Sequence, residues 1–369
     1  MRPRLLIISE RTRWHFHSPL RYFQKIEVIH LTKSVFSDFP RENTAVPLYF
    51  YRSPLDLYKQ ILKLKPDIIQ GLEPYYGYSR LKIPWRVVAI LKTIQKAATH
   101  LNTPYFFHCL ENLEPEKKYG ALSFLMRRLA SNYTQKAVFV FFLNKEAGEI
   151  AKQDGAKKAI PALWGIWGID RILFKPAQKG SKPSLLFVGA LEKHKGADIL
   201  IELGKQLRQE ISDLELWVVG RGILEDELIK AAAQNSWLKY LGEQPPVEVA
   251  KLMGRAWVGL APNREIGIYK EQVGMANLEM LACATSLITT DAGSTIEFLE
   301  DKAIICPQND FDCLKENCLK LLQDFDLRSK IAQKAFLFAR QKYDTETNIK
   351  NLEDQVLEIF AGLGLKVGK

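Results

Sequence analysis

Apolar residues follow two rhythms along this 369-residue chain, short unbroken runs and a period of three to four, and the two alternate. In the first half "RLLIIS", "KIEVIHLT", "PDIIQGL", "TPYFFHCL" and "AVFVFFLN" read as buried strands. Between them "PLDLYKQILKLK", closed by Pro66, "IPWRVVAILKTIQKAAT" and "GALSFLMRRLASNYTQKA" carry the helical period. The rhythm lapses in "GIWGIDRILFKPAQKGSKPS", rich in Gly, Pro, Lys and Ser, which reads as an interdomain linker. It restarts with strands "SLLFVGAL", "LELWVVG", "LKYLG", "WVGLAP" and "SLITTD". Helices "GADILIELGKQLRQEI", "ILEDELIKAAAQN", "PVEVAKLMGRA", "KEQVGMANLEML" and "STIEFLED" interleave with them, and three more helical stretches close the chain. Such alternation predicts an α/β protein of two doubly wound units, each a parallel sheet covered by helices. The boundary predicted is 1–166 and 167–346, with a terminal helix over 347–369 packing back on the first unit.

Charge divides along the same boundary. Residues 1–180 hold 29 Lys and Arg against 14 Asp and Glu, while residues 181–369 hold 23 against 28. A basic first half suggests an anionic partner for that half alone. The segment "GYSRLKIPWRVVAILKTIQKAATH" concentrates Arg80, Lys82, Arg86, Lys92 and Lys96 around Trp85. It suits the surface of an anionic membrane and equally a core-packed helix with a solvated basic face. No stacking-aromatic module accompanies the charge, so nucleic acid is not expected as a partner. The five cysteines form no C-x-x-C pair, no run of 18 apolar residues occurs, and the opening apolar run is too short for a leader. These features predict a reduced, cytoplasmic protein.

Candidate chemistry centres on "KEQVGMANLEML", residues 270–281. Read as one helix, it sets Glu271 and Glu279 about 12 Å apart on nearly one side. That is the span from sugar to ribose in a nucleotide diphosphate sugar. Carboxylates accept hydrogen bonds from hydroxyls at both ends. The phosphates between would face the helix start, where N–H groups favour anions, and Gly274 permits close approach. A bare pair of solvated glutamates would look the same, so the surroundings decide.

"E-Q-V-G-M-A-N-L-E" resembles the E-x7-E motif of retaining glycosyltransferases of family 4. "FVGALEKHKGADILI", "LWVVGRG", "LKYLG", "WGIDRILFKP" and "MLACATSLITTDAGSTIEFL" are similar, in order, to other segments of that family over roughly 160–345. Over residues 1–160 the likeness is topological only. The resemblance implies the GT-B architecture, two Rossmann-like domains facing across a cleft, with donor on the second and acceptor on the first. It implies that Glu279 holds the ribose and Glu271 the donor sugar, with the backbone at Val273 and Gly274 meeting sugar and phosphates. Lys195 would neutralise the diphosphate. Gly189 and Leu241 would border the nucleotide, and His108 at the end of "TPYFFH" would approach the sugar, with Glu111 and Asn112 close by and His15 and His17 as weaker candidates. No cofactor and no metal are implied. The acceptor would be a glycolipid, lipopolysaccharide or polysaccharide at the inner face of the plasma membrane. A sugar-nucleotide epimerase or a silent sugar-nucleotide-binding scaffold would share the fold.

Three departures from that pattern matter. Ala190 stands where the family usually has Arg, leaving Lys193, His194 or Arg221 as stand-ins for one phosphate cation. "CATS" replaces the Gly-Pro after the motif helix, and "SERTRWHFHSP" replaces a Gly-Gly loop after the first strand. The two D-x-D triplets, 310–312 and 324–326, read as helix-end caps rather than metal ligands. No P-loop, no G-x-S-x-G and no third glycine of a dinucleotide fingerprint is present.

Overall fold

A computed structural model describes residues 2–36, 39, 44–75, 84–362 and 364. The chain divides into two compact units, Met1–Gly168 with Thr345–Lys369, and Ile169–Asp344. Unit 1 holds β1 (Arg4–Thr12), β2 (Glu27–Val35), β3 (Leu48–Phe50), β4 (Ile68–Gln70), β5 (Tyr105–Cys109), β6 (Val140–Phe142) and β7 (Ala159–Pro161). Its strands order 3-2-1-4-5-6-7, and all pairings are parallel. Unit 2 holds β8 (Ser184–Val188), β9 (Glu215–Val219), β10 (Leu238–Gly242), β11 (Val258–Ala261), β12 (Ser286–Thr290) and β13 (Ile304–Cys306). They order 10-9-8-11-12-13 and are likewise parallel. Each order reverses once, at β1/β4 and at β8/β11.

Why the first strands are unbroken apolar runs is visible in their packing. Along β1, Leu6 and Ile8 join Leu57, Ile61 and Ile94 in one layer, while Leu5 and Ile7 join Phe106, Trp164 and Val356 in another. Successive side chains leave opposite faces of a strand, so a sheet buried on both faces needs every position apolar. The terminal helix Thr345–Gly362 supplies the second layer through Ile349, Leu352, Val356 and Phe360. The Glu353 carboxylate fastens it, accepting from Gln24 N at 2.9 Å, Lys25 N at 2.5 Å and Ile26 N at 2.7 Å. Local signals set helix starts: Ser53 accepts from Asp56 N at 3.2 Å ahead of Pro54–Leu64, and Asn144 from Ala147 N at 2.9 Å ahead of Lys145–Gln153.

Three sequence expectations change. The opening of the linker stretch is core: Trp167 is fully buried, together with Trp164 just before the stretch, and the Trp167 indole donates to Phe16 O at 2.9 Å. Their flanking glycines masked the aromatic core signal. The segment 270–281 is not one helix, because the helix is Met275–Ala282 and Glu271 lies in the loop before it. The 12 Å helical spacing therefore does not apply. The cysteines are not all reduced either. The turn from β13 into the helix Phe311–Gln323 brings Cys306 and Cys313 to a Cα separation of 5.9 Å as a disulfide, while Cys109, Cys283 and Cys318 are free and buried. Arg80 and Lys82 lie outside the described residues. No helix among the described residues is long and apolar enough to cross a membrane.

A disulfide closing so short a loop stabilises by about 2 kcal/mol through the unfolded chain. Urea denaturation of the oxidised protein should therefore shift to lower midpoint on adding reductant. Cys313→Ala should show the lower midpoint with or without reductant, and a wild-type curve indifferent to reductant would refute the linkage.

Candidate functional site

Ligands of doubly wound sheets gather beyond the carboxyl ends of the strands where the order reverses. In unit 2 that point lies between β8 and β11, which pair at Val258–Leu185 and Gly259–Leu186. The loop after β8 and the loop after β11 are thus neighbours. Glycines let these loops touch. A side chain on Gly196 (φ +73°) would come within 2.2 Å of Pro262 O, and in the loop after β9 one on Gly220 (φ +136°) would come within 1.9 Å of Gly189 O, just past β8. Gly189 N donates to Val219 O at 3.0 Å, and Leu191 N to Arg221 O at 2.8 Å.

Glu271 and Lys195 meet at this junction. The Lys195 ammonium lies 2.5 Å from Glu271 Oε2, which also accepts from Asn263 Nδ2 at 2.9 Å. Glu271 Oε1 accepts from Gly274 N at 3.1 Å. The backbone is held as tightly: Ser294 N donates to Glu271 O at 3.0 Å, and Gly293 is so near that a side chain there would lie 2.1 Å from that oxygen. A half-buried carboxylate is thus fixed on both oxygens by an ammonium, an amide and a backbone N–H. Gly274 (φ +70°) then turns the chain into the helix Met275–Ala282, aiming its N-terminal N–H groups at the same region. Val273 is buried beneath.

Glu279 has the opposite surroundings. It is partly buried on that helix, its carboxyl has no hydrogen bond or ion pair among the described residues, and burial pushes that carboxyl from 4.5 to about 8. Even partial burial without a donor disfavours the charged carboxylate. Asn277, one turn from Gly274, is buried with its Nδ2 unpaired.

The stand-ins for the cation absent at Ala190 part company. Arg221 reaches Glu243 at 3.7 Å on the surface. The Lys193 ammonium has no ion-pair partner among the described residues. His194 stacks on Tyr269, ring centroids 4.3 Å apart and nearly parallel, and burial and then Lys195 hold its pKa below normal. Leu241 lies in β10, its carbonyl accepting from Gln244 Nε2. Asn263 and Arg264 escaped the sequence reading. Arg264 pairs with Asp198 and donates to Lys193 O at 2.7 Å. Their signal was position alone, just past a strand end beside the motif. Asp310 and Asp324 cap helices, accepting from Cys313 N and Leu327 N at 2.9 Å each.

In unit 1, His108 is the last residue but one of β5, which ends at Cys109. Burial lowers its pKa to about 4, so it is neutral, with Nδ1 accepting from Gln70 Nε2 at 3.2 Å. Glu111 pairs with Lys118, and its N–H donates to Glu73 at 2.7 Å. Glu73 is buried, and burial followed by the Glu111 charge raises it to about 7. Asn112 is buried beside them in sequence. His17 is core rather than site: its Nδ1 lies 2.9 Å from His30 Nδ1 among aromatic rings. His15 shares the short helix Trp14–His17.

The family described as "Glycosyl transferases group 1" matches residues 168–338. This match covers a little under half of the chain. An uncharacterised glycosyltransferase of Methanocaldococcus jannaschii is 29% identical over 160 residues, 42% of this chain and 43% of that protein. The phosphatidyl-myo-inositol mannosyltransferase of Mycolicibacterium smegmatis is 28% identical over 188 residues, 50% of this chain and 47% of its own. The chain thus spans less than half the length of these relatives. Among solved structures, Anabaena HepE in complex with UDP and glucose aligns with a TM-score of 0.70 at 15% identity, covering 96% of this chain and 100% of that one. WaaG, titled a glycosyltransferase involved in lipopolysaccharide biosynthesis, aligns at 0.61 and 16% over 95% and 98%. The fold is that of GT-B glycosyltransferases.

The Glu279 shift makes the second unit pH-sensitive. The folded state holds this proton more tightly than the unfolded chain, whose carboxyl titrates near 4.5. The folded state therefore binds more protons between about 4.5 and 8, and the Glu279 contribution to stability falls as pH rises through that window. Glu279→Gln should flatten this fall. Urea midpoints of variant and wild type measured across the window check it, and parallel profiles would count against it.

Proposed function

We propose that the protein transfers a sugar from a nucleotide diphosphate sugar to a hydroxyl of a glycolipid or polysaccharide acceptor, with retention and without a metal. The observation that carries this reading is the Lys195–Glu271 pair, set beside a helix N-terminus that leads to the unpartnered Glu279. Glu279 would accept from the ribose hydroxyls, a partner that its carboxyl lacks. Glu271, preset by three donors, would accept from hydroxyls of the sugar. As the glycosidic bond breaks, negative charge collects on the leaving diphosphate. Lys195 and the N–H groups that open the helix Met275–Ala282 would stabilise it. Neighbouring structures solved with UDP and with UDP-glucose support the donor class.

The two glutamates should separate by role. In calorimetric titrations under excess chelator, Glu279→Ala should lose affinity for a bare nucleoside diphosphate. Glu271→Ala should keep that affinity and lose donor turnover. Equal losses, or binding that returns only with magnesium or manganese, would remove the assignment.

The basic first unit supports docking on an anionic membrane. Trp85 is 64% exposed at the start of Trp85–Leu101, and Lys92 and Lys96 are exposed along it, whereas Arg86 is engaged with Glu10 at 2.5 Å. Each basic residue near such a leaflet contributes about 1 kcal/mol, so three would shift partitioning roughly a hundredfold. The chain should co-sediment with anionic but not neutral vesicles, and high salt should release it. Trp85→Ala with Lys92→Glu and Lys96→Glu should abolish binding. Indifference of the wild type to anionic vesicles at low salt would end the claim.

A further inference from the structure

Between β11 and Glu271 the chain makes a small hairpin. Ile266 and Tyr269 exchange backbone hydrogen bonds of 3.2 Å and 3.0 Å, and Gly267 (φ +64°) makes the turn. The base of the hairpin is fastened on two sides. Arg264 N donates to His194 O at 2.8 Å, in addition to the guanidinium contacts already described. Glu265 N donates to Gln308 Oε1 at 2.7 Å, while Glu265 Oε1 accepts from Gly293 N at 2.9 Å. The tip has no such cover. Ile266 is 41% and Tyr269 55% exposed.

The Tyr269 ring is nonetheless held in place. One face lies on the His194 imidazole, at an interplanar angle of 8°. With more than half of the residue exposed, the opposite face is open to solvent. The stack and the ion pair are consecutive rungs between the same two segments: His194 with Tyr269, then Lys195 with Glu271. Two residues span at most about 7 Å, roughly one hexose ring. An open aromatic face and a hydroxyl-accepting carboxylate therefore stand side by side.

We propose that Tyr269 is the stacking platform for the pyranose ring of the donor and so a specificity-determining residue of this site. The proposal deepens the function read above and rests on it. A pyranose has hydroxyls around its edge and an apolar C–H face. The negative face of an aromatic ring attracts such C–H groups. The same sugar would give hydroxyl hydrogens to Glu271 and its C–H face to Tyr269. Because the ring is already clamped by His194 and the hairpin base, little rotamer freedom is lost on binding.

The test compares bare UDP, GDP and ADP with their hexose conjugates by calorimetry, with wild type, Tyr269→Ala and Tyr269→Phe. The diphosphate that the wild type binds serves as the reference. Tyr269→Ala should weaken the sugar conjugate about 3- to 10-fold and leave the bare diphosphate unchanged, because the ring serves the sugar alone. Tyr269→Phe should bind both as the wild type does. Equal losses for both ligands, or no loss for either, would overturn the platform while leaving the nucleotide site standing. If the wild type binds no diphosphate and no conjugate, the functional reading falls and the platform with it. Because Tyr269 is exposed, Tyr269→Ala should unfold at the wild-type temperature, and a lowered melting temperature with weakened diphosphate binding would assign the residue to structure.

Discussion

Everything at the candidate site depends on two loops that leave neighbouring parallel strands at the point where the strand order reverses. The loop after β8 and the loop after β11 approach closely because Gly196 has no side chain to meet Pro262 O. This contact brings Lys195 and His194 against Glu271 and Tyr269. Sequence separates the ion-paired residues by 76 positions. A residue with a Cβ at Gly196 would force the loops apart and undo both contacts.

From that junction the two carboxylates of one short motif acquire different characters. Glu271 sits in a loop, with a donor on each oxygen and a cation beside it. Glu279 sits on the following helix, partly buried and with no donor on its carboxyl, and burial raises its pKa to about 8. Identical side chains eight residues apart thus present a preset acceptor and a poised one. The divergence comes from desolvation without a compensating donor at one and charge-assisted hydrogen bonds at the other. The hairpin before Glu271 adds an aromatic surface to this polar pair.

Legibility followed the range of the interaction. Unbroken apolar strands and three-to-four-residue helical periods announced both sheets, because burial on two faces and on one stripe leaves those patterns. Of the three-residue strands, β4 and β6 lie inside longer apolar runs and were legible, whereas β3, β7 and β13 were not. Trp164 and Trp167 were obscured by glycines that turn the chain while the indoles enter the core. Glu271, Glu279, Gly274 and Lys195 could be singled out by motif. Asn263 and Arg264 could not, since a side chain that braces another residue need keep no fixed spacing from it. His17, plausible as a loop histidine, was claimed by its contact with His30 across two elements.

By itself, then, the sequence determined the α/β class, the two doubly wound units and the residue types of the motif. Each of these is written in local periodicity or in short fixed spacings. Only the tertiary structure decided that Glu271 precedes its helix rather than belonging to it, because the left-handed backbone of Gly274 ends the loop there. It alone decided that Lys195 pairs with Glu271, that Cys306 pairs with Cys313, and that Tyr269 lies on His194. These are meetings of side chains whose geometry is set by strand order and loop closure. No periodicity along the chain encodes which loops will become neighbours.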